Sequence, residues 1–549
     1  MFSEQKLLFL CPAAICLAAA LAIMPMLLNG VPRGNDLMQH YQFALTVYDS
    51  LQNGEIYPTW SAPDNEGYGG VGLRFYPPLS YYVLAAGKIV TGDWLAASFL
   101  AFWFWLALGG QGVYFWSRQR FSNGASVFAG ILYVAAPYHL NEIYNAFTYA
   151  EFAAAGILPF CFAFVDRICR TVRSERGLQI LPVIGLAVSY AALILTHLPL
   201  TVIGSLALGI YAVCSLALSR SGYNFLKLAS SVLISLLLSA FYWVRLVTEM
   251  KWLNHATDQF AKDSYSYDYK INFLLMLEYL RDLKPDSREM WFADLMLIAT
   301  LSLFVPFFIV FLATVRRRQK ISLLPVTTLF LFALFLSTPL SMPVWDNLTF
   351  LQKVQFPWRW LAVISMSGVV FAAAGFNKAL ELFSTAKRPL ILIAFGAMLF
   401  GVTFSYSQVI KQAMYHEKGS FNALVESYSD EKNYECWLPV WAKFDAFKTK
   451  EKVTALGREV SNVEWKAGGV SFTTSGGEQA EARLALFHYP YWQVKINGET
   501  AVTFPDEHGA LKFGLPNEAA DIRVEFIEPA VSRAALLLSL SAWALLAVF

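Results

Sequence analysis

"PPLSYYVLAAGKIVTG", residues 77–92, decides how this chain is threaded, because every later segment changes sides if this one crosses a bilayer. It opens on two prolines and carries Lys88 in its apolar part. A helical span needs about twenty apolar residues, and a lysine near its centre costs about 2.5–3.5 kcal/mol. The stretch is too short and too charged, so it reads as a helix lying along the membrane interface.

Around it the sequence is strongly apolar. The 549 residues are 56% hydrophobic and only 15% charged, against about 25% charged in soluble domains. Apolar runs fall at 7–28, 94–116, 124–137, 150–165, 178–196, 199–218, 225–245, 291–313, 321–338, 358–377, 389–407 and 533–549. This is the pattern of a polytopic α-helical membrane protein with about twelve transmembrane helices. The first run has no convincing small-residue cleavage site and reads as a retained anchor.

The positive-inside rule tests the threading. With 77–92 on the interface, one side receives the N-terminus, "SRQR" (117–120), "DRICRTVRSER" (166–176), "SRSGYNFLK" (219–227), "RRRQK" (316–320) and "NKALELFSTAKR" (377–388). Together these hold sixteen Lys or Arg against four Asp or Glu. That side is the cytoplasm, which puts 29–93, 246–290, 339–357 and 408–532 outside. The expected organisation is a transmembrane domain over 1–407, an external region over 408–532 and a last helix at 533–549.

Within the external region the period changes to two. "RLALFHYPYWQVKINGETAVTF" (483–504) alternates apolar and polar residues, and Asn497-Gly498 is a hairpin-turn signal because both positions favour positive φ. A small periplasmic β-sandwich is expected over about 455–527, with "HYPYW" (488–492) as a surface on which a sugar could stack. The net charge of +2 gives no reason to expect nucleic acid. The six cysteines, Cys11, Cys16, Cys161, Cys169, Cys214 and Cys436, form no CxxC pair and imply neither a disulfide framework nor a zinc knuckle. No phosphate-loop, dinucleotide or serine-nucleophile motif stands out.

The candidate chemistry gathers on the outer side. In "GNDLMQHYQ" (34–42), Asp36 and His40 stand four apart, one helical turn. There Asp36 is either a helix cap or a base, and the pair could hold a divalent ion. "GLRFYPPLSYY" (72–82) presents Arg74 to a phosphate. "YNAFTYAEFAAAGILPF" (144–160) sets Glu151, next to Tyr149, at the mouth of a span, where an ionisable residue is a functional candidate. "LTHLPL" (195–200) gives His197. "QFPWRWL" (355–361) places Arg359 between Trp358 and Trp360 and near Gln355, either as a snorkelling girdle residue or as a fork for a lipid phosphate.

"GNDLMQHYQF", "FYPPLSYY", "YAEFAAAGILPF", "THLPLT" and "QFPWRWL", in this order after a single anchor, resemble the GT-C membrane glycosyltransferases. More closely they resemble the YfhO-like, "6-pyruvoyl-tetrahydropterin synthase-related" bacterial membrane proteins; "YPYWQVKINGE" followed by "ALKFGLP" is similar to the external β-domain of the latter. No pterin chemistry is read from that label. The resemblance implies a GT-C-like fold in the bacterial inner membrane. It also implies transfer of a sugar from a polyprenyl-phosphate donor to an envelope glycan, lipid or protein acceptor outside the cytoplasm, usually with inversion. The acidic residue of the first outer loop maps onto Asp36 as base, with His40 assisting. Arg74 and Arg359 would hold the donor phosphate, while Glu151, His197, Tyr149 and Gln355 would line the sugar or acceptor pocket. A divalent metal on Asp36 and His40 stays open. The rival classes are a lipid or glycan flippase, which needs polar breaks at mid-membrane, and a non-catalytic envelope assembly factor.

The threading is directly testable. A reporter active only outside the cytoplasm gives signal when fused near residue 440 and none when fused after residue 120; the reverse pattern overturns the topology.

Overall fold

The computed structural model describes residues 4–170, 180–256, 268–276, 287–314, 321–382, 388–433, 435–448, 451–466, 468–478 and 480–548. Among these, eight helices are long and apolar enough to cross a membrane, or ten if two bent pairs each count as one span. Some of the twelve expected segments form helices shorter than that. The run at 124–137 yields a helix of only 12 residues, Asn123–Val134, because Pro137 starts a new short helix. The run at 178–196 yields 15 residues, Ile180–Ile194. At 1.5 Å per residue these reach about 18 and 22 Å, short of a hydrocarbon core of about 30 Å. Segment 77–92 forms the 13-residue helix Leu79–Thr91, also too short to span. Its Lys88 bends to the helix end, with Nζ donating to Gly92 O at 3.0 Å and lying over the Trp94 ring.

The chain divides into two compact units. The first comprises Met1–Leu37, Ala86–Ser239 and Tyr265–Phe421 and holds seven of the eight long apolar helices. Its helices approach closely where side chains are missing, as expected where lipid leaves van der Waals packing as the main attraction. A Cβ on Gly156 would stand 2.5 Å from the Trp105 carbonyl oxygen, so Trp94–Ser117 and Tyr149–Arg170 touch backbone to side-chain-free backbone there. Gly375 does the same for Leu361–Leu382, lying against the Phe307 carbonyl of Ser287–Thr314.

The second unit, Met38–Ala85, Ala240–Ser264 and Asn422–Phe549, contains the β-structure. The strands are β1 Val453–Ala455, β2 Val460–Lys466, β3 Gly469–Thr474, β4 Ala480–Phe487, β5 Trp492–Ile496, β6 Glu499–Ala501, β7 Thr503–Pro505, β8 Ala510–Leu515 and β9 Ala520–Phe526. They form two antiparallel sheets, ordered β1-β4-β8-β7 and β2-β3-β9-β5-β6. Alternate residues such as Phe472, Leu484, Val494, Phe513 and Ile522 fill one core between them. The β5–β6 hairpin turns on Asn497 and Gly498, at φ 51° and 90°, the left-handed pair a two-residue loop demands. The run "HYPYW" does not offer its largest rings to a sugar. Tyr489 and Trp492 are buried, packed with Trp60 and Phe526, which belong to the same core.

Arg74 lies at the heart of this unit, with no exposed surface. Its Nε and Nη2 donate to Glu249, the latter at 2.9 Å, while Nη1 and Nη2 reach Glu528 at 2.5 and 2.9 Å. Tyr489 OH also donates to Glu249 at 2.8 Å, and the Tyr491 ring covers the guanidinium at 5.1 Å. The expected donor-phosphate role of Arg74 therefore gives way to an internal one: its fork is filled by two carboxylates. Burial pushes the Glu528 carboxyl up, but hydrogen bonding and charge from Arg74 outweigh it and hold it below its usual value. Replacing Arg74 by Met leaves Glu249 buried without a cation and costs about 3–5 kcal/mol. Glu528→Gln costs less, because that side chain is 21% exposed. Thermal unfolding of the purified chain reads both, and an unchanged midpoint for Arg74→Met contradicts the assignment.

Candidate functional site

The site of the first unit is built where the chain leaves its opening helix, Glu4–Asn29. The exit runs beside residues 414–416: Arg33 N donates to Met414 O at 2.7 Å, and His416 N to Val31 O at 2.9 Å. Gly34 then lies directly on Ala146 and Phe147, where any Cβ would collide. Its missing side chain lets the Asn35-Asp36 turn settle against a second irregular segment. That segment is the π-helical turn Glu142–Ala146, closed by Phe147 at φ 53°, ψ 43°. Single π turns of this kind recur at functional sites.

Four ionisable side chains act on one another here. Arg359 sits in the 3-10 turn Pro357–Trp360 that leads into Leu361–Leu382. Its Nε donates to Glu151 Oε2 at 2.7 Å and its Nη1 to Val354 O at 2.6 Å. Tyr138 OH donates to the other Glu151 oxygen at 3.0 Å. Glu151 is 1% exposed and Arg359 7%, so this is a buried pair joining the ends of two apolar helices. The Phe356 ring lies 4.7 Å from the guanidinium. Nη2 of Arg359 has no hydrogen bond among the described residues, which leaves one donor of the fork uncommitted.

Glu142 completes the group, fully buried, with Asn141 Nδ2 donating to it at 3.3 Å and Thr148 Oγ1 bonded to its other oxygen. Burial, then the charge of Glu151, holds its carboxyl well above the usual range, so it favours the neutral form. Asp36 differs in being exposed. Enough protein nevertheless surrounds it that lost hydration raises its pKa; Arg359 pulls it back and Glu151 pushes it further up. Asp36 is thus an exposed carboxylate in crowded surroundings. Asp36 has no hydrogen bond among the described residues, so its oxygens are available.

The other expected residues fall elsewhere. The helix after Asp36 begins at Leu37, so Asp36 lies exposed in the preceding turn while His40 is buried. His40 is buried, with Nδ1 2.7 Å from Tyr81 OH, and burial pushes its pKa down to about 3. A neutral imidazole turned into an aromatic pocket does not assist a base. His197 caps Leu198–Ser219, accepting from Leu200 N at 3.3 Å, and that helix packs against the Pro357–Trp360 turn. Tyr149 OH accepts from Trp105 Nε1 at 3.2 Å inside the helix packing. Gln355 takes up φ 69° just before the Arg359 turn, a strained backbone of the kind found near functional sites. Among the described residues no three His, Cys, Asp or Glu side chains come together as a metal site, so the Asp36–His40 ion has no donor set.

The sequence of the 6-pyruvoyl-tetrahydropterin synthase-related domain of membrane proteins matches residues 73–409, more than half of the chain. No curated protein matches. Among solved structures, ArnT from Cupriavidus metallidurans bound to undecaprenyl phosphate is 14% identical with a TM-score of 0.46, covering 78% of this chain and 70% of that one. The arabinofuranosyltransferase AftD from Mycobacteria is 13% identical with a TM-score of 0.47, covering 78% of this chain and 29% of that one. The oligosaccharyltransferase AglB from Archaeoglobus fulgidus, in complex with an inhibitory peptide and a dolichol-phosphate, is 13% identical with a TM-score of 0.44, covering 79% of this chain and 61% of that one. With TM-scores below 0.5, these likenesses assign neither fold nor reaction.

Proposed function

The chain belongs to the 6-pyruvoyl-tetrahydropterin synthase-related family of membrane proteins, and we propose that it transfers a sugar from a polyprenyl-phosphate carrier to an envelope acceptor at the outer face of the bacterial inner membrane. The observation that carries this reading is an accessible, unbonded carboxylate, Asp36, within the electrostatic reach of Arg359, whose Nη2 is not hydrogen-bonded among the described residues. Asp36 accepts the proton of an acceptor hydroxyl as that oxygen attacks the anomeric carbon. The bond from that carbon to the carrier phosphate breaks, and the phosphate leaves with the electron pair. Arg359 offsets the charge that builds on it, through the donor not already given to Glu151 or Val354. Attack and departure in one displacement invert the sugar. Glu151 and Tyr138 position Arg359, and Glu142, kept neutral, spares the departing phosphate a further negative neighbour. The sequence resemblance to GT-C enzymes supports the same assignment.

A base works only when ionised, so activity falls as pH drops through the raised pKa of Asp36. Glu151→Gln removes an upward push on that pKa and moves the acid limb to lower pH. Asp36→Asn lowers the rate by about 10²–10⁴-fold. The readout is the envelope-glycan composition, by mass spectrometry, of a strain lacking the gene and complemented with each variant. A normal glycan profile with Asp36→Asn at normal expression overturns the proposal.

A further inference from the structure

The helices joined by the Glu151–Arg359 pair also share a cavity at their far ends. Nineteen residues on from Glu151 stands Arg170, and nineteen on from Arg359 stands Lys378. At 1.5 Å per residue both lie about 28 Å away, close to the hydrocarbon thickness of a bilayer. Arg170 and Lys378 line one cavity of about 200 Å³, together with Gln119, Arg120, Asn377 and Ser322. That volume is several times the roughly 30 Å³ of a water molecule. Three cations and three neutral polar groups face it, and among the described residues no carboxylate lines it.

Asp166 stands behind this wall. Arg120 grips it with both terminal nitrogens at 2.5 Å, and Arg170 Nε lies 3.0 Å from it. Two guanidinium groups thus share one carboxylate, which leaves positive charge in excess. The Arg120 side chain is 4% exposed, and its buried Nε has no hydrogen-bond partner among the described residues. Asn377 Oδ1 accepts from Ser122 Oγ at 2.7 Å, which turns its amide group into a donor for something else. A buried cation with an unspent donor is costly unless a ligand meets it.

We propose that this cavity binds a phosphate group, held by Arg120, Arg170, Lys378 and Asn377 at the membrane face opposite Glu151 and Arg359. An anionic lipid headgroup of the adjoining leaflet and a free phosphate share this chemistry, and basic pockets between spans suit such headgroups. The inference is independent of the sugar-transfer reading, so either can fail alone.

The test uses the full chain purified in neutral detergent, with short-chain phosphatidylglycerol, phosphatidylcholine of equal chain length, and inorganic phosphate as probes. Binding is followed by the thermal unfolding midpoint and by native mass spectrometry. Phosphatidylglycerol is expected to bind at least tenfold more tightly than phosphatidylcholine. The pair Arg170→Gln with Lys378→Gln lowers that affinity at least fivefold, while Arg170→Lys with Lys378→Arg retains it. Competition by millimolar inorganic phosphate supports the site and identifies free anion as a sufficient ligand; its absence, with lipid preference intact, assigns the site to the headgroup. Equal binding of the two lipids with no response to phosphate overturns the proposal, as does a Gln pair that binds like wild type.

Discussion

A buried ion pair, Glu151 with Arg359, is the constraint on which the candidate site of the helical unit depends. Neither partner can be lost alone, since an unpaired charge in that position costs about 3–5 kcal/mol. The pair therefore fixes the heads of the Tyr149–Arg170 and Leu361–Leu382 helices against each other. It also sets the local field. Lost hydration raises the Asp36 pKa most, and on top of that Arg359 draws its proton off while Glu151 holds it on.

Small residues decide whether that geometry can be reached. Gly34 allows the exit of the first helix to press on the Glu142–Ala146 turn, and Gly156 allows the Glu151 helix to lie flush against Trp94–Ser117. A methyl group at either position would push apart the segments that carry Asp36, Glu142 and Glu151. The site is consequently a product of backbone approach as much as of its charged side chains.

Several of these features were legible in the sequence and others were not, for physical reasons. The apolar runs, the short helix within 77–92 and the Asn497-Gly498 hairpin are local properties and read directly. Where Pro137 divides the run at 124–137 into two short helices was not legible, because an apolar run does not reveal its own breaks. Asp36, Glu151 and Arg359 could be named separately, but the Glu151–Arg359 pair and the influence of Glu151 on Asp36 join residues 208 and 115 positions apart, beyond any periodicity. Glu142 was missed because it sits among Asn141 and Asn145 in what reads as an ordinary polar loop. Its one signal was a carboxylate between aromatic and apolar neighbours. Arg74 was misassigned for the converse reason: an arginine beside aromatics looks the same whether it awaits a phosphate or already holds Glu249 and Glu528.

The most direct measurement is a double-mutant cycle on the two charges, comparing unfolding of Glu151→Gln, Arg359→Gln and the combined variant. Each single change should destabilise the chain strongly, and the combined one should fall short of their sum by at least about 1 kcal/mol, the signature of contacting residues. Losses that simply add would contradict a paired state and, with it, the placement of Asp36 beside a positioned guanidinium.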